Sequence, residues 1–443
     1  MPLVAGALFG VSALRGGAGV ALSAPDEPVA NADLLRDLAQ AVDRESPKAR
    51  ATSAAALAAR PGVTLDAWLA AAKALRPWGS PPEAGRSTED LDLLVLDAME
   101  RTTIDVSIAK GVVPGTPAPL ILAFHGAGGR GGDELAAWGS VAEALGAVLV
   151  APTEAGPNDG YRFSPRERAA ALAALRWARR RFDVDEDRIV FVGTSRGGHL
   201  TWDLGLRHPD VAAALVPVIG APRVTNVRNE NNLRFLENLV DVSIRDLQGE
   251  KDDPRAVGNV RLAFERLAAW KARDAKLLLD PGRGHDADLG AVDWPAFLGG
   301  ARRDANAPHV VLRATGPARA KWVEILAVDG TVGEEVAPPQ PSSWDRMDDL
   351  ARRRFIADAA EKRTARLEVT RSARGRFEVK SRGVSRFRLL LAEEAFDPAQ
   401  PVQVVWNGRS VSKRVAPSKA VLLADFVERF DRRLLPIAEL LVP

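Results

Sequence analysis

Ser195 stands in Gly193-Thr194-Ser195-Arg196-Gly197, after the apolar run Arg188 to Val192 and before a helical stretch, Gly198 to His208. A strand, a tight turn and a helix with serine at the apex offer its hydroxyl as a nucleophile toward a carbonyl carbon. Gly193 and Gly197 let the backbone take the cramped turn. A serine hydroxyl is weak at its free pKa, so it needs a general base, and the base needs a carboxylate to orient it. The chain has five histidines. His125 lies at a strand end, His199 inside the helix after the serine, His208 at that helix's end, and His309 beyond the last strand of the series. Only His285 occupies a loop just past a terminal strand, in Asp280-Pro281-Gly282-Arg283-Gly284-His285-Asp286, so it is the expected base. His125 and His208 read as satisfied, partly buried side chains. The strand ending Asp246-Leu247-Gln248 opens into Gly249-Glu250-Lys251-Asp252-Asp253-Pro254. Asp252 is the expected acid and Asp253 the alternative, since one acid before Pro254 can cap the following helix. The oxyanion formed on attack needs two donors. They are expected to be the N–H of Arg196 and the N–H of Ala127 in His125-Gly126-Ala127-Gly128-Gly129, with Gly126 permitting that turn.

The same glycine run carries a rival reading. Gly126 to Gly131 fits GxGxxG between a strand and a helix, and Glu154 ends the next strand, as a dinucleotide-binding loop requires. Against it, the helix is expected to start near Asp133, beyond the glycines, and the serine, Asp252 and His285 are left without a role. No Lys-Ser or Lys-Thr follows, so the run is not a P-loop. A non-catalytic protein that keeps the pocket for binding is a further alternative.

The elements that must position these residues alternate. Ala118 to Phe124, Ala147 to Ala151, the strand before Ser195, Ala213 to Ile219, Val240 to Leu247 and Lys276 to Leu279 read as strands. Helices are expected at Asp133 to Leu145, Pro165 to Phe182, after Ser195, and at Ala256 to Ala272. The fold class is therefore α/β, a doubly wound and mostly parallel sheet with functional residues at the carboxyl ends of its strands. An N-terminal helical segment precedes it, and a small β-rich module follows. In that module Arg366 to Thr370, Arg376 to Lys380 and Arg386 to Leu391 alternate. Val402 to Trp406 meets Asn407-Gly408, a type I′ hairpin signal. The boundaries are 1–30 for a leader or disordered start, 31–86 for helices and linker, 87–305 for the catalytic domain and 306–443 for the accessory module. Between Gly220 and Asn238 there is little room for a large lid. The Asn and Arg residues of 225–234 either line the substrate pocket or form a solvated loop.

Over 443 residues, 46% hydrophobic and 27% charged content describe an ordinary globular chain of more than one domain. A net charge of +2 excludes a strong electrostatic pull toward nucleic acid or membrane surfaces, and the arginines read as solvated surface. The absence of cysteine excludes disulfides, a thiol nucleophile and thiolate metal sites. Leu3 to Leu14 is apolar and Ala21 to Ala24 suits a cleavage site, but no basic residue precedes the run, which leaves exported and cytoplasmic residence both open. The run is too short for a stable membrane anchor.

Phe124-His125-Gly126-Ala127-Gly128-Gly129 together with Gly193 to Trp202 resembles the α/β-hydrolase superfamily. The likeness is to its prolyl-oligopeptidase-like and dienelactone-hydrolase-like bacterial serine esterases, often labelled predicted peptidases. Gly249-Glu250-Lys251-Asp252 and Gly284-His285 match the acid and histidine loops, and the resemblance covers roughly 93–300. It implies hydrolysis of carboxylic esters, sometimes peptides, without metal or cofactor. The substrate would be a small or polymeric ester or peptide, and the oligomeric state is open. Pro401 to Gly408 is similar to a C-terminal module of large bacterial hydrolases of this group. One departure is Gln248-Gly249, where related proteins often carry His-Gly; that position lies outside the expected triad.

Overall fold

The computed structural model describes residues 31–77, 84–95, 97–113, 115–154, 160–224, 231–336 and 338–443. The leader expected at 1–30 and most of the linker at 77–86 lie outside them. Three helices open the described chain: α1 (Ala32–Val42), α2 (Pro47–Ala58) and α3 (Leu65–Ala74). Asn31, Ser46 and Thr64 cap them, each side chain accepting a backbone N–H of the first turn.

The central sheet follows as β1 (Gly85–Val95), β2 (Ala98–Ile108), β3 (Ala118–Phe124), α4 (Gly131–Leu145), β4 (Val148–Pro152), α5 (Pro165–Arg181), β5 (Val184–Thr194), α6 (Arg196–Arg207), β6 (Ala214–Val218), β7 (Ser243–Gly249), α7 (Pro254–Ala269), β8 (Asp274–Asp280) and α8 (Trp294–Gly300). Its eight strands lie in the order β1-β2-β4-β3-β5-β6-β7-β8. The pairs from β4 to β8 are parallel, while β1–β2 and β2–β4 are antiparallel. Buried parallel strands must be apolar on both faces, which explains Ala-Pro-Leu-Ile-Leu-Ala-Phe in β3. Leu120, Leu122 and Phe124 face the layer of α5, α6 and α7, while Ile121 and Ala123 face α4 and α8.

Two expectations of the sequence are corrected here. The β1–β2 hairpin was not foreseen, because its outer residues are charged and the apolar signal begins only near Leu93. Helix α4 starts at Gly131 rather than near Asp133, with Arg130 as N-cap and Asp133 accepting the Arg130 N–H. The last glycine of the GxGxxG run is thus inside the helix, and the start of the helix no longer counts against a dinucleotide loop.

The remainder comprises β9 (His309–Ala314), β10 (Ala318–Ala320), β11 (Val323–Val328), α9 (Asp349–Lys362), β12 (Ala365–Ala373), β13 (Arg376–Arg382), β14 (Val384–Leu391), β15 (Val402–Trp406), β16 (Arg409–Lys413), α10 (Lys419–Arg429) and β17 (Ala438–Val442). They build a sheet β10-β11-β14-β17 and a sheet β16-β15-β13-β12-β9. Asn407 and Gly408, both at positive φ, join β15 to β16. Residues 31–86 and 306–443 are separate in the sequence boundaries, yet their apolar side chains join: Leu38, Trp68 and Ala72 share one core cluster with Phe387, Leu422 and Phe426.

Between this core and the central sheet run buried arginine contacts, some to carboxylates and some to backbone carbonyls. Arg303 is buried against Asp431 at 2.6 Å and Asp187 at 3.0 Å. Arg234 donates to the carbonyls of Gly333, Ala360 and Arg363 and to Thr364 Oγ1. Glu237 receives Arg313 and Arg366. The expectation that the arginines form only solvated surface is therefore corrected: Arg234, Arg303, Arg313 and Arg353 are buried. The 225–234 expectation changes too. Residues 225–230 lie outside the described chain, but Asn231, Asn232 and Arg234 are buried, and Asn232 and Arg234 tie elements together.

Candidate active site

Ser195 follows β5 and opens α6 with φ 55° and ψ −110°, a left-handed backbone that a non-glycine residue adopts only under constraint. Two bonds hold it there: its N–H donates to Val218 O at 2.7 Å, and its carbonyl accepts His199 N–H at 3.0 Å. The turn is also sterically closed. A Cβ at Gly197 would land on the Phe124 carbonyl, and one at Gly193 on the Gly197 carbonyl.

The serine hydroxyl lies 2.8 Å from His285 Nε2. His285 Nδ1 lies 2.9 Å from Asp252 Oδ2 and 3.0 Å from Oδ1. With Nδ1–H donating to the carboxylate, Nε2 is left as the acceptor for the serine proton. The turns carrying base and acid are bonded to each other: Glu250 N–H donates to Asp280 O at 2.8 Å and Lys251 N–H to Arg283 O at 2.9 Å. They touch so closely that a Cβ at Gly249 would land on the Gly284 carbonyl. Asp252 is nearly buried, whereas the imidazole is 56% exposed and open to a substrate. Asp253 does not reach His285. It caps α7 through Arg255 N–H at 2.8 Å, and its hydrogen bond with the Arg255 side chain holds its carboxyl down at about 2.

Gly126 passes against the nucleophile, where a Cβ would sit 3.6 Å from Ser195 Cβ. Ala127 follows in an exposed turn closed by Gly129 N–H to Gly126 O at 3.1 Å. Among the described residues, no hydrogen bond within the protein takes up the N–H of Ala127 or of Arg196. His125 stays out of the serine line. Its Nδ1 donates to Gly126 O at 2.8 Å and its Nε2 accepts Glu154 N–H at 3.0 Å, with burial lowering its pKa. His199 is lowered by burial as well, with Nδ1 against Ala221, and His208 is pushed down to about 4 by burial.

Sequence reasoning missed three groups around this line. The Arg196 side chain turns inward to Glu154 at 2.6 Å, Glu167 at 3.0 Å and Gly160 O at 2.7 Å. Glu154, the residue a dinucleotide loop would reserve for a ribose, is thereby committed to an ion pair. Glu134 is buried beside Thr194 and Trp138, and burial raises its carboxyl to about 7. Gln248, set aside as outside the triad, donates from Nε2 to Asp252 Oδ2 at 2.6 Å. A signal for it did exist: Asp246 and Gln248 are two polar residues at alternate positions of a strand that should be apolar.

Among the described residues, no group of three or more histidines and acids is placed to hold a metal ion, and no helix is long and apolar enough to cross a membrane. No family model matches the sequence, and no curated protein matches it. Solved structures overlay on about half of it. A thermostable esterase matches at 21% identity and a TM-score of 0.37, over 48% of this chain and 58% of its own. An S-formylglutathione hydrolase from Staphylococcus aureus matches at 14% and 0.37, over 46% of this chain and 93% of its own. An acylaminoacyl peptidase matches at 14% and 0.37, over 45% and 38%. The eight-stranded order, its antiparallel second strand and the serine turn that ends β5 make the architecture of residues 85–300 that of an α/β-hydrolase.

Proposed function

We propose that the chain is a serine hydrolase that cleaves carboxylic esters or peptides through an acyl-enzyme on Ser195. One observation carries the reading: the unbroken line from Ser195 Oγ through His285 to Asp252, with the serine held at positive φ. Ser195 Oγ attacks the substrate carbonyl carbon while its proton passes to His285 Nε2. The negative carbonyl oxygen accepts hydrogen bonds from the N–H groups of Arg196 and Ala127. Asp252 stabilises the imidazolium, which then protonates the leaving alcohol or amine as the tetrahedral species collapses. Water, deprotonated by the same imidazole, releases the acid and restores the serine.

The commitment of Glu154 to Arg196 argues against the dinucleotide alternative now that the helix start no longer does. Hydrolysis of p-nitrophenyl acetate and butyrate, measured beside Ser195→Ala of equal circular dichroism, tests the proposal. Turnover should fall at least a thousandfold, to about the level left by binding and oxyanion donors alone. Turnover that survives the substitution sinks it. A folded wild type that turns over neither ester and is not labelled by a fluorophosphonate would point to the non-catalytic, ligand-binding alternative.

A further inference from the structure

The acid of the line is itself held. Asp252 accepts three donors: His285 Nδ1–H, the N–H of Asp253 at 2.7 Å, and Gln248 Nε2 at 2.6 Å. The Gln248 bond differs from the other two, because it comes from a side chain 1% exposed near the end of β7, the strand next to the sheet edge. A carboxylate can receive only the amide's NH2, so the amide orientation follows from chemistry. Its other end, Oε1, is buried with no hydrogen-bond partner among the described residues. Two residues earlier on the same face of β7, fully buried Asp246 accepts Trp202 Nε1–H at 2.9 Å, and its Oδ1 is likewise unpaired. Burial raises the Asp246 carboxyl well above the usual range. An unmet buried amide oxygen costs stability.

We propose that Gln248 is a positioning residue of the hydrolytic site: its NH2 holds one oxygen of Asp252 so that the carboxylate stays in line with His285 Nδ1. This rests on the reading of Ser195, His285 and Asp252 as a catalytic triad. Without that bond the carboxylate keeps only the Asp253 N–H as a second anchor, and its rotation about Cβ–Cγ is freed.

Two near-isosteric variants separate positioning from filling. Gln248→Met keeps the volume and removes the donor. Gln248→Glu sets a second carboxylate against Asp252 at alkaline pH and, when protonated, restores an O–H donor at the same place. Titratable groups around the pair include His285, His199, Asp246 and the Arg255-bound Asp253, and Lys276, Asp280 and Asp288 line the pocket beside Gln248. With p-nitrophenyl acetate, kcat should fall about tenfold or more in both variants with KM within about twofold of wild type. The ratio of Gln248→Glu to wild type should climb as pH falls, while that of Gln248→Met stays flat. Wild-type kcat in both variants, or a Gln248→Glu deficit equal at every pH, overturns the proposal. A readout without substrate keeps it distinct from the hydrolase reading: 15N NMR of His285 should show the Nδ1–H tautomer in wild type and a mixture in Gln248→Glu at alkaline pH. A wild type with neither turnover nor fluorophosphonate labelling would sink the hydrolase reading, and an unchanged tautomer in the variant would sink this one.

Discussion

The Glu134 carboxyl lies in the protein interior beside Thr194, one residue from the nucleophile, with Oε2 unpaired. Burial raises its pKa from an ordinary 4.5 to about 7, so the folded chain binds this proton more tightly than the unfolded one. The stability it contributes is full below about pH 4.5 and is lost as pH rises through 7, on the order of 3 kcal/mol. Glu134→Gln should therefore raise Tm by several degrees at pH 8 and change it little at pH 5, as circular dichroism melts at the two pH values would show. An equal shift at both would mean that the carboxyl is not neutral in the fold. At this scale the meeting of Ser195, His285 and Asp252 could be read from the sequence, because each follows a strand of the same sheet and the loops are short. Glu134 could not, since its setting depends on the residues facing it across the core, whereas Gln248 was signalled only as a polar residue in an otherwise apolar strand.

Among elements, the turns after β7 and β8 behave as one unit. Their backbones are hydrogen-bonded to each other, and Gly249 is where they touch. Gly249→Ala would force the acid turn away from the histidine turn. We expect kcat to fall about a hundredfold or more, with far-ultraviolet circular dichroism unchanged, since near-attack geometry tolerates displacements of well under 1 Å. Retained activity would show that the two turns can part without separating Asp252 from His285. Most buried strands were legible because parallel strands covered on both faces are apolar throughout. The β1–β2 hairpin was not, since an antiparallel ribbon at a sheet edge shows charge on one side and resembles a linker. The start of α4 was misjudged for a related reason: Gly131 and Gly132 carry no apolar period, although the helix enters there.

Across the whole molecule, ion pairs join what the apolar clusters keep apart. Arg303 holds Asp431, whose carboxyl is driven far below the usual range in a fully buried setting by the Arg303 guanidinium. Arg303→Met strands that charge and should cost about 3–5 kcal/mol, read as a lower urea midpoint. Arg303→Met with Asp431→Leu should recover most of it, and no recovery would mean that Arg303 acts through Asp187 instead. Such pairs were invisible in the sequence, where Arg303 and Asp431 stand 128 residues apart and every arginine looks like surface.

The shared core of α1 to α3 with β14 and α10 carries a consequence for biosynthesis. Residues 31–75 leave the ribosome early, yet the surface that buries Leu38 and Trp68 is made only after some 300 further residues have been translated. The central sheet can close in that interval, so the two ends of the described chain meet over a sheet already formed. Nascent chains stalled near residue 305 should therefore bind a hydrophobic dye through their first helices, and release of the full chain should abolish that binding.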